Sequence, residues 1–173
     1  MSDDVIETDQ VVAGNRHLVR VTFTVATLVV LVDQITKYLA VRNLEGRPPV
    51  EVIGTWVRFV FLRNSGAAFS FGESYTVIFT AIAITVVVVI VRTSRKLGSV
   101  GWAIALGGLL GGAVGNLLDR IFREPGLFRG HVVDFIAFPN FAVFNVADSA
   151  IVCSAVLMVL LALRGVEIDG RRS

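Results

Sequence analysis

Charged side chains are scarce in this chain: 17% of its 173 residues are Asp, Glu, Lys or Arg, where a soluble domain carries roughly a quarter. A water-exposed globular surface cannot be built from so few. Cysteine is scarcer still. Cys153 is the only one, so an intrachain disulfide is excluded, and its place in an apolar run makes a packed core thiol the default expectation. The two histidines, His17 and His131, lie far apart with no cysteine or second histidine at ligand spacing, which leaves no metal pattern. The net charge of +2 is not arranged as a basic stripe interleaved with aromatics. The basic residues instead flank apolar runs, as membrane-bordering charge does, and a nucleic-acid surface is not indicated.

What the chain has in excess is grease, with 54% hydrophobic residues and a mean hydropathy of +0.74. It is concentrated in four runs, about 21–41, 75–91, 100–121 and 143–163, each near the ~20 residues that cross a bilayer as a helix. The expected fold is therefore an all-α membrane protein with four transmembrane helices. Arg16 and Arg20 before the first run are reminiscent of a signal peptide, but the run continues past Asp33 to Val41 without a small-x-small cleavage site, so it reads as a retained helix. Residues 1–18 read as a flexible cytoplasmic tail, 19–164 as one membrane domain and 165–173 as a cytoplasmic C-terminal tail.

Basic residues set the expected orientation. Arg16 and Arg20 precede helix one, Arg92, Arg95 and Lys96 join helices two and three, and Arg164, Arg171 and Arg172 follow helix four. The positive-inside rule puts these segments in the cytoplasm and leaves two outer loops, about 42–74 and 122–142. The outer loops also carry arginines, so the bias is one of density. In the first of them Val50–Ile53, bracketed by Pro48-Pro49 and Gly54, and the aromatic, β-branched 56–62 stretch predict a small extracytoplasmic β-sheet on the membrane surface. Pro125-Gly126, Gly130 and Pro139-Asn140 mark turns in the second loop.

With this topology the polar membrane residues converge at one depth. Asp33 and Lys37, four apart on helix one, can pair. Asn116 and Arg120 end helix three, Asn145 and Asp148 begin helix four, and Asp134 arrives from the loop between. Gly108, Gly112, Asn116 and Arg120 form one ridge of helix three beside Gly107, Gly111 and Gly115, a spacing that lets helices approach closely. Each polar residue also has a plain structural reading: Asp33–Lys37 as a buried pair holding helix one, Asn64 as a turn residue, Asp119 facing Arg120 or headgroups. Two carboxylates at a helix mouth are costly. Side by side they cannot both ionise easily, so one keeps its proton while the other acts as a base. A proton or ion relay through Asp33, Asp134 and Asp148 is the alternative from chemistry alone.

Five blocks in order add a resemblance. Val32-Asp33-Gln34-Ile35-Thr36-Lys37, the 63–71 stretch Arg63-Asn64-Ser65-Gly66-Ala67-Ala68-Phe69-Ser70-Phe71, Gly111-Gly112-Ala113-Val114-Gly115-Asn116-Leu117-Leu118-Asp119-Arg120, Val132-Val133-Asp134-Phe135 and Phe144-Asn145-Val146-Ala147-Asp148-Ser149 resemble those of signal peptidase II, the bacterial lipoprotein signal peptidase. The stretch from Arg120 to Asp134 is longer than is typical, with 122–130 as extra material. The resemblance implies an aspartic endopeptidase with Asp134 and Asp148 as the catalytic pair. Asn64, Gly66, Asn116, Arg120 and Asn145 would be supporting or substrate-binding residues, and Asp33 and Lys37 structural. It implies no metal and no cofactor, diacylglyceryl-modified prolipoproteins and membrane lipid as partners, and a bacterial cytoplasmic membrane location with the site at the outer face; because the site can be built from one chain, a monomer is expected.

Overall fold

The computed structural model describes residues 3–66 and 74–172. Four helices in it are long and apolar enough to cross a membrane: Arg16–Leu44, Thr76–Lys96, Val100–Phe122 and Val146–Leu163. In hydrocarbon a chain must satisfy its own backbone, which helices do within each segment. The first helix, α1 (Asp3–Leu44), is 42 residues long, so the stretch read as an N-terminal tail continues it back to Asp3. It stops where Gly46 takes a positive φ of 72° and Arg47 N–H bonds the Leu44 carbonyl at 3.1 Å, a left-handed ending glycine adopts without strain.

Then come β1 (Val50–Ile53), β2 (Val57–Asn64), α2 (Ser74–Thr93), a short 3-10 turn at Ser94–Lys96, α3 (Val100–Phe122), β3 (Val132–Ala137) and α4 (Val146–Leu163). The expected first-loop hairpin is present, and β1 has the expected bounds. The sheet is larger than that hairpin, however. It has three antiparallel strands in the order β1-β2-β3, and the third comes from the loop between α3 and α4. The strand signal in β3 is a short apolar run holding an aspartate, which on its own reads as loop. It becomes a strand because it pairs with β2 and its Val132, Val133 and Phe135 are buried, Val133 and Phe135 packing with Ala40 and Leu44 of α1. The sheet thus caps one end of the bundle.

Helix α3 is the central post, buried over much more of its length than the other three spans. Its glycines work on two edges, as the ridge predicts. A Cβ on Gly111 would stand 2.7 Å from the Ala26 carbonyl of α1, and one on Gly112 2.7 Å from Ile151 of α4. At the end of the bundle away from the sheet, residues 164–172 fold back on the α2–α3 connection. Trp102 Nε1 donates to the Val166 carbonyl at 2.8 Å and Gly98 N–H to the Ile168 carbonyl at 2.9 Å.

Candidate active site

Polar side chains from α1, β2, α3, β3 and α4 meet beneath the sheet. Helix α4 starts with a reciprocal cap: Asn145 Oδ1 accepts from Asp148 N–H at 3.0 Å, and Asn145 N–H donates to Asp148 Oδ2 at 3.2 Å. This capping box satisfies two otherwise orphaned donors of the first turn. It also fixes Asp148 at the helix mouth. The lead-in is held to β3, since Phe144 and Ile136 exchange backbone bonds at 2.8 and 3.0 Å, which brings Asn145 beside Asp134.

Strand register brings the third partner. Arg58 and Phe59 pair with Ala137 and Ile136, but beyond an irregularity Leu62, Arg63 and Asn64 pair with Asp134, Val133 and Val132. The extra residue reverses which side of β2 faces Asp134. Continued without it, the register would set Arg63 on the side of Asp134; with it, Asn64 is the diagonal neighbour and donates Nδ2 to Asp134 Oδ2 at 2.8 Å. Asn64 Oδ1 in turn accepts from Gly66 N–H at 2.8 Å, so Gly66 shapes the turn that holds Asn64. Residues 67–71 of the corresponding sequence block lie outside the described residues.

The two aspartates are joined through amides. Asn145 Nδ2 donates to Asp134 Oδ1 at 2.7 Å and lies 3.1 Å from Asn116 Oδ1. Asn116 Nδ2 donates to Asp148 Oδ1 at 2.8 Å. All four carboxylate oxygens therefore accept one N–H each. Asp134 is 1% exposed, whereas Asp148 is half-buried. The Asp134 carboxyl is raised to about 6: burial is the largest cause and the charge of Asp148 adds to it, while the Asn64 and Asn145 hydrogen bonds and the charge of Lys37 oppose the rise.

Below this pair lies a second buried cluster. Lys37 Nζ sits 2.9 Å from each of Asp33 Oδ2, Asp119 Oδ2 and Asn116 Oδ1. Asp33 Oδ1 accepts from Ala147 N–H at 2.9 Å, so α1 also caps α4. The expected Asp33–Lys37 pair is there, but it is half of a larger network. Asp119, which a sequence reading leaves facing Arg120 or headgroups, is 1% exposed and accepts from Arg123 Nε at 2.7 Å and Val133 N–H at 3.1 Å. Gln34, not singled out from sequence, donates to the Gly115 carbonyl at 3.0 Å and to Asp33 Oδ2 at 3.1 Å. The available signal for Asp119 was Arg123 four residues on, a helix-face pair. Two carboxylates, one ammonium and one guanidinium balance, as buried charges must.

Arg120 stands apart from this cluster. Its guanidinium lies 5.5 Å from the Phe79 ring centre, and its Nη1 is buried with no hydrogen-bond partner among the described residues. The charges of Asp134 and Asp148 both act on it. Among the described residues no three His, Cys, Asp or Glu side chains gather as a metal site.

Fold and site together define a class: a multi-pass membrane protein built around a hydrogen-bonded aspartate pair. Comparison with known proteins narrows it. The family model described as signal peptidase (SPase) II matches residues 25–164. The lipoprotein signal peptidase of Streptomyces coelicolor is 60% identical over 157 residues, 91% of this chain and 76% of that protein. That of Rhodococcus jostii is 51% identical over 150 residues, 87% and 76% of the two chains. A bacterial membrane enzyme solved in meso at 1.9 Å superposes with a TM-score of 0.73 at 29% identity, covering 83% of this chain and 92% of that one. The chain belongs to the signal peptidase II family, and it is a protease.

Proposed function

We propose that this chain is an aspartic endopeptidase of the bacterial cytoplasmic membrane that removes the signal peptide from diacylglyceryl-modified prolipoproteins, cutting just before the lipidated cysteine. One observation carries the assignment to Asp134 and Asp148: two carboxylates linked by amide donors, one buried and raised to about 6. Two negative charges brought together in a partly buried site share a proton more readily than they both ionise. With that proton in place, the pair and Arg120 sum to zero net charge.

In the reaction, the deprotonated carboxylate takes a proton from water as its oxygen bonds the scissile carbonyl carbon. The protonated partner gives its proton to the carbonyl oxygen. Collapse of the tetrahedral intermediate breaks the C–N bond, and a carboxyl proton passes to the leaving nitrogen. The products are a signal peptide ending in a carboxylate and a lipidated cysteine with a free amine. The pair titrates as a unit, so acid and base belong to the dyad. Asn64 and Asn145 hold Asp134, and Asn116 and Asn145 hold Asp148. Arg120 Nη1, buried with no hydrogen-bond partner among the described residues, is the donor for a substrate carbonyl.

The substrate's lipid tails fix the depth of the cut. A diacylglyceryl group anchored in the outer leaflet holds its cysteine near the outer interface, which matches a site beneath a sheet whose edge exposes Ile53 (64%) and Trp56 (71%). With the sheet outside, both termini and the α2–α3 connection are cytoplasmic, in agreement with the basic residues there. The groups the reaction needs can all be supplied by one chain, so a monomer acting on substrate at the lipid interface suffices.

The test is cleavage of a lipobox prolipoprotein, with and without the diacylglyceryl group, by purified protein in detergent. The expected result is loss of the signal peptide from the lipidated form alone, abolished by Asp134→Asn and by Asp148→Asn. An intact lipidated substrate with folded wild-type protein, or cleavage by either variant, overturns the reading.

A further inference from the structure

Lys37 is 0% exposed, and its ammonium is saturated: three protons face three acceptors, all at 2.9 Å. Two of these, Asp33 and Asp119, are the counter-charges a buried cation needs. The third is an uncharged amide oxygen, that of Asn116, and charge balance does not require it. What it does, together with Asn145 on the same oxygen and Asp148 on the NH2, is hold the direction of that amide. A side-chain amide fits its site in two orientations that exchange oxygen and nitrogen. Here Lys37 Nζ and Asn145 Nδ2 both approach the same atom of Asn116, at 2.9 and 3.1 Å, and two donors require an oxygen there. The NH2 must then face Asp148 Oδ1, 2.8 Å away. In the reversed orientation two donors would meet the NH2 and a carboxylate would meet the oxygen.

We propose that Lys37 is a positioning residue of the peptidase reaction: by donating to Asn116 it sets the amide so that Asp148 receives a proton donor, and through the acceptor shared with Asn145 it ties Asp148 to Asp134. The inference rests on the aspartic-peptidase reading above. Lys37 touches neither aspartate of the dyad and no substrate. Besides the long-range pull of its charge on Asp134, its contact with the dyad runs through one amide, which separates it from a purely structural ion pair. The other charged or donor groups around the dyad are Asp33 on α1, Asn64 on β2, Asp119, Arg120 and Arg123 on or beside α3, and Asn145 before α4.

Replacing Lys37 alone would leave buried carboxylates uncompensated and unfold the protein. The variant to make is therefore Asp33→Asn/Lys37→Met, which removes one charge of each sign and leaves Asp119 with Arg123. The expected outcome is a kcat about 100-fold lower with KM for the diacylglyceryl-modified prolipoprotein unchanged, as for a displaced reacting group. The alkaline limb of the rate profile should move to higher pH, because the dyad's charged form loses a donor. Asn116→Asp is assayed beside it: Lys37 keeps an oxygen acceptor at this position, while the group facing Asp148 changes from NH2 to oxygen and a buried carboxylate is added. A fall in kcat and a limb shift in the same direction are expected; the added charge should also lower the melting temperature, so kcat is read at a temperature where the variant is folded. Wild-type kcat and limb in a folded Asp33→Asn/Lys37→Met protein overturn the proposal. If that protein does not fold, wild-type kcat in Asn116→Asp overturns it. Failure of wild-type protein to cut the lipidated substrate would instead sink the peptidase reading.

Discussion

Asn145 and Asp148 hold each other twice, side chain to backbone in both directions, at 3.0 and 3.2 Å, and the same Asn145 side chain reaches Asp134 at 2.7 Å. A helix cap and an active-site clamp are thus one residue. The start of α4 cannot fray without releasing both carboxylates. The geometry of the pair is tied to the stability of a helix end, and the two roles of Asn145 separate by mutation.

Asn145→Ala removes both roles. It should lower stability by about 0.5–2 kcal/mol through the lost cap and reduce the cleavage rate about 100-fold through the loosened pair. Asn145→Ser keeps a good cap but lacks the reach to Asp134, so it should melt close to wild type and still lose activity. Thermal unfolding in detergent beside cleavage rates decides between these outcomes.

The pH profile follows from the raised carboxyl of Asp134. A raised pKa means that its proton is held below about 6 and lost as pH rises through that value. A dyad that needs one shared proton therefore loses kcat/KM on the alkaline side, with a limb near 6, tenfold per unit beyond it. The Asn64 hydrogen bond favours the charged form of Asp134, so Asn64→Ala should move this limb to higher pH. A limb that stays in place or moves lower would contradict the role given to Asn64.

The approach of α1, α3 and α4 depends on a missing methyl group at Gly115. A Cβ there would stand 2.7 Å from Asp33 Oδ2 and 3.3 Å from the Ala147 Cβ, so something must shift. Gly115→Ala should cost about 1–3 kcal/mol, as overpacking does, and disturb the Asp33 hydrogen bond to Ala147. Gly126, with nothing within 4 Å of its added Cβ, is the matched control: Gly126→Ala should leave the melting temperature unchanged.

Trp102 tests the independence of the two ends of the bundle. Trp102→Phe deletes the bond from Nε1 to the Val166 carbonyl and should cost about 1 kcal/mol. Asn116 lies fourteen residues further along α3, about 21 Å at the helical rise, so the cleavage rate at a temperature where the protein is folded should not change.

The spans were legible in the sequence because in a bilayer length and apolarity alone nearly decide a helix. Depth was legible too: once the runs are threaded, Asp33, Lys37, Asn116, Arg120, Asn145 and Asp148 must fall near one end. The role of Asp119 was not. A carboxylate one residue from an arginine reads as its partner, yet on a helix neighbours point apart, and Asp119 turns inward to Lys37 while Arg120 turns toward Phe79.

By itself the sequence determined four spans, the close-packed glycine edges of α3 and the convergence of polar residues at the sheet end, since these follow from periodicity and hydropathy along one strand of chain. Only the tertiary structure decided that β3 joins the sheet, that an irregularity in β2 presents Asn64 rather than Arg63 to Asp134, and that Lys37 faces Asn116 as well as its carboxylates. Those are choices of register and of side-chain direction between segments distant in sequence. They are settled by packing and by the requirement that every buried donor and acceptor find a partner, neither of which is written in any local pattern.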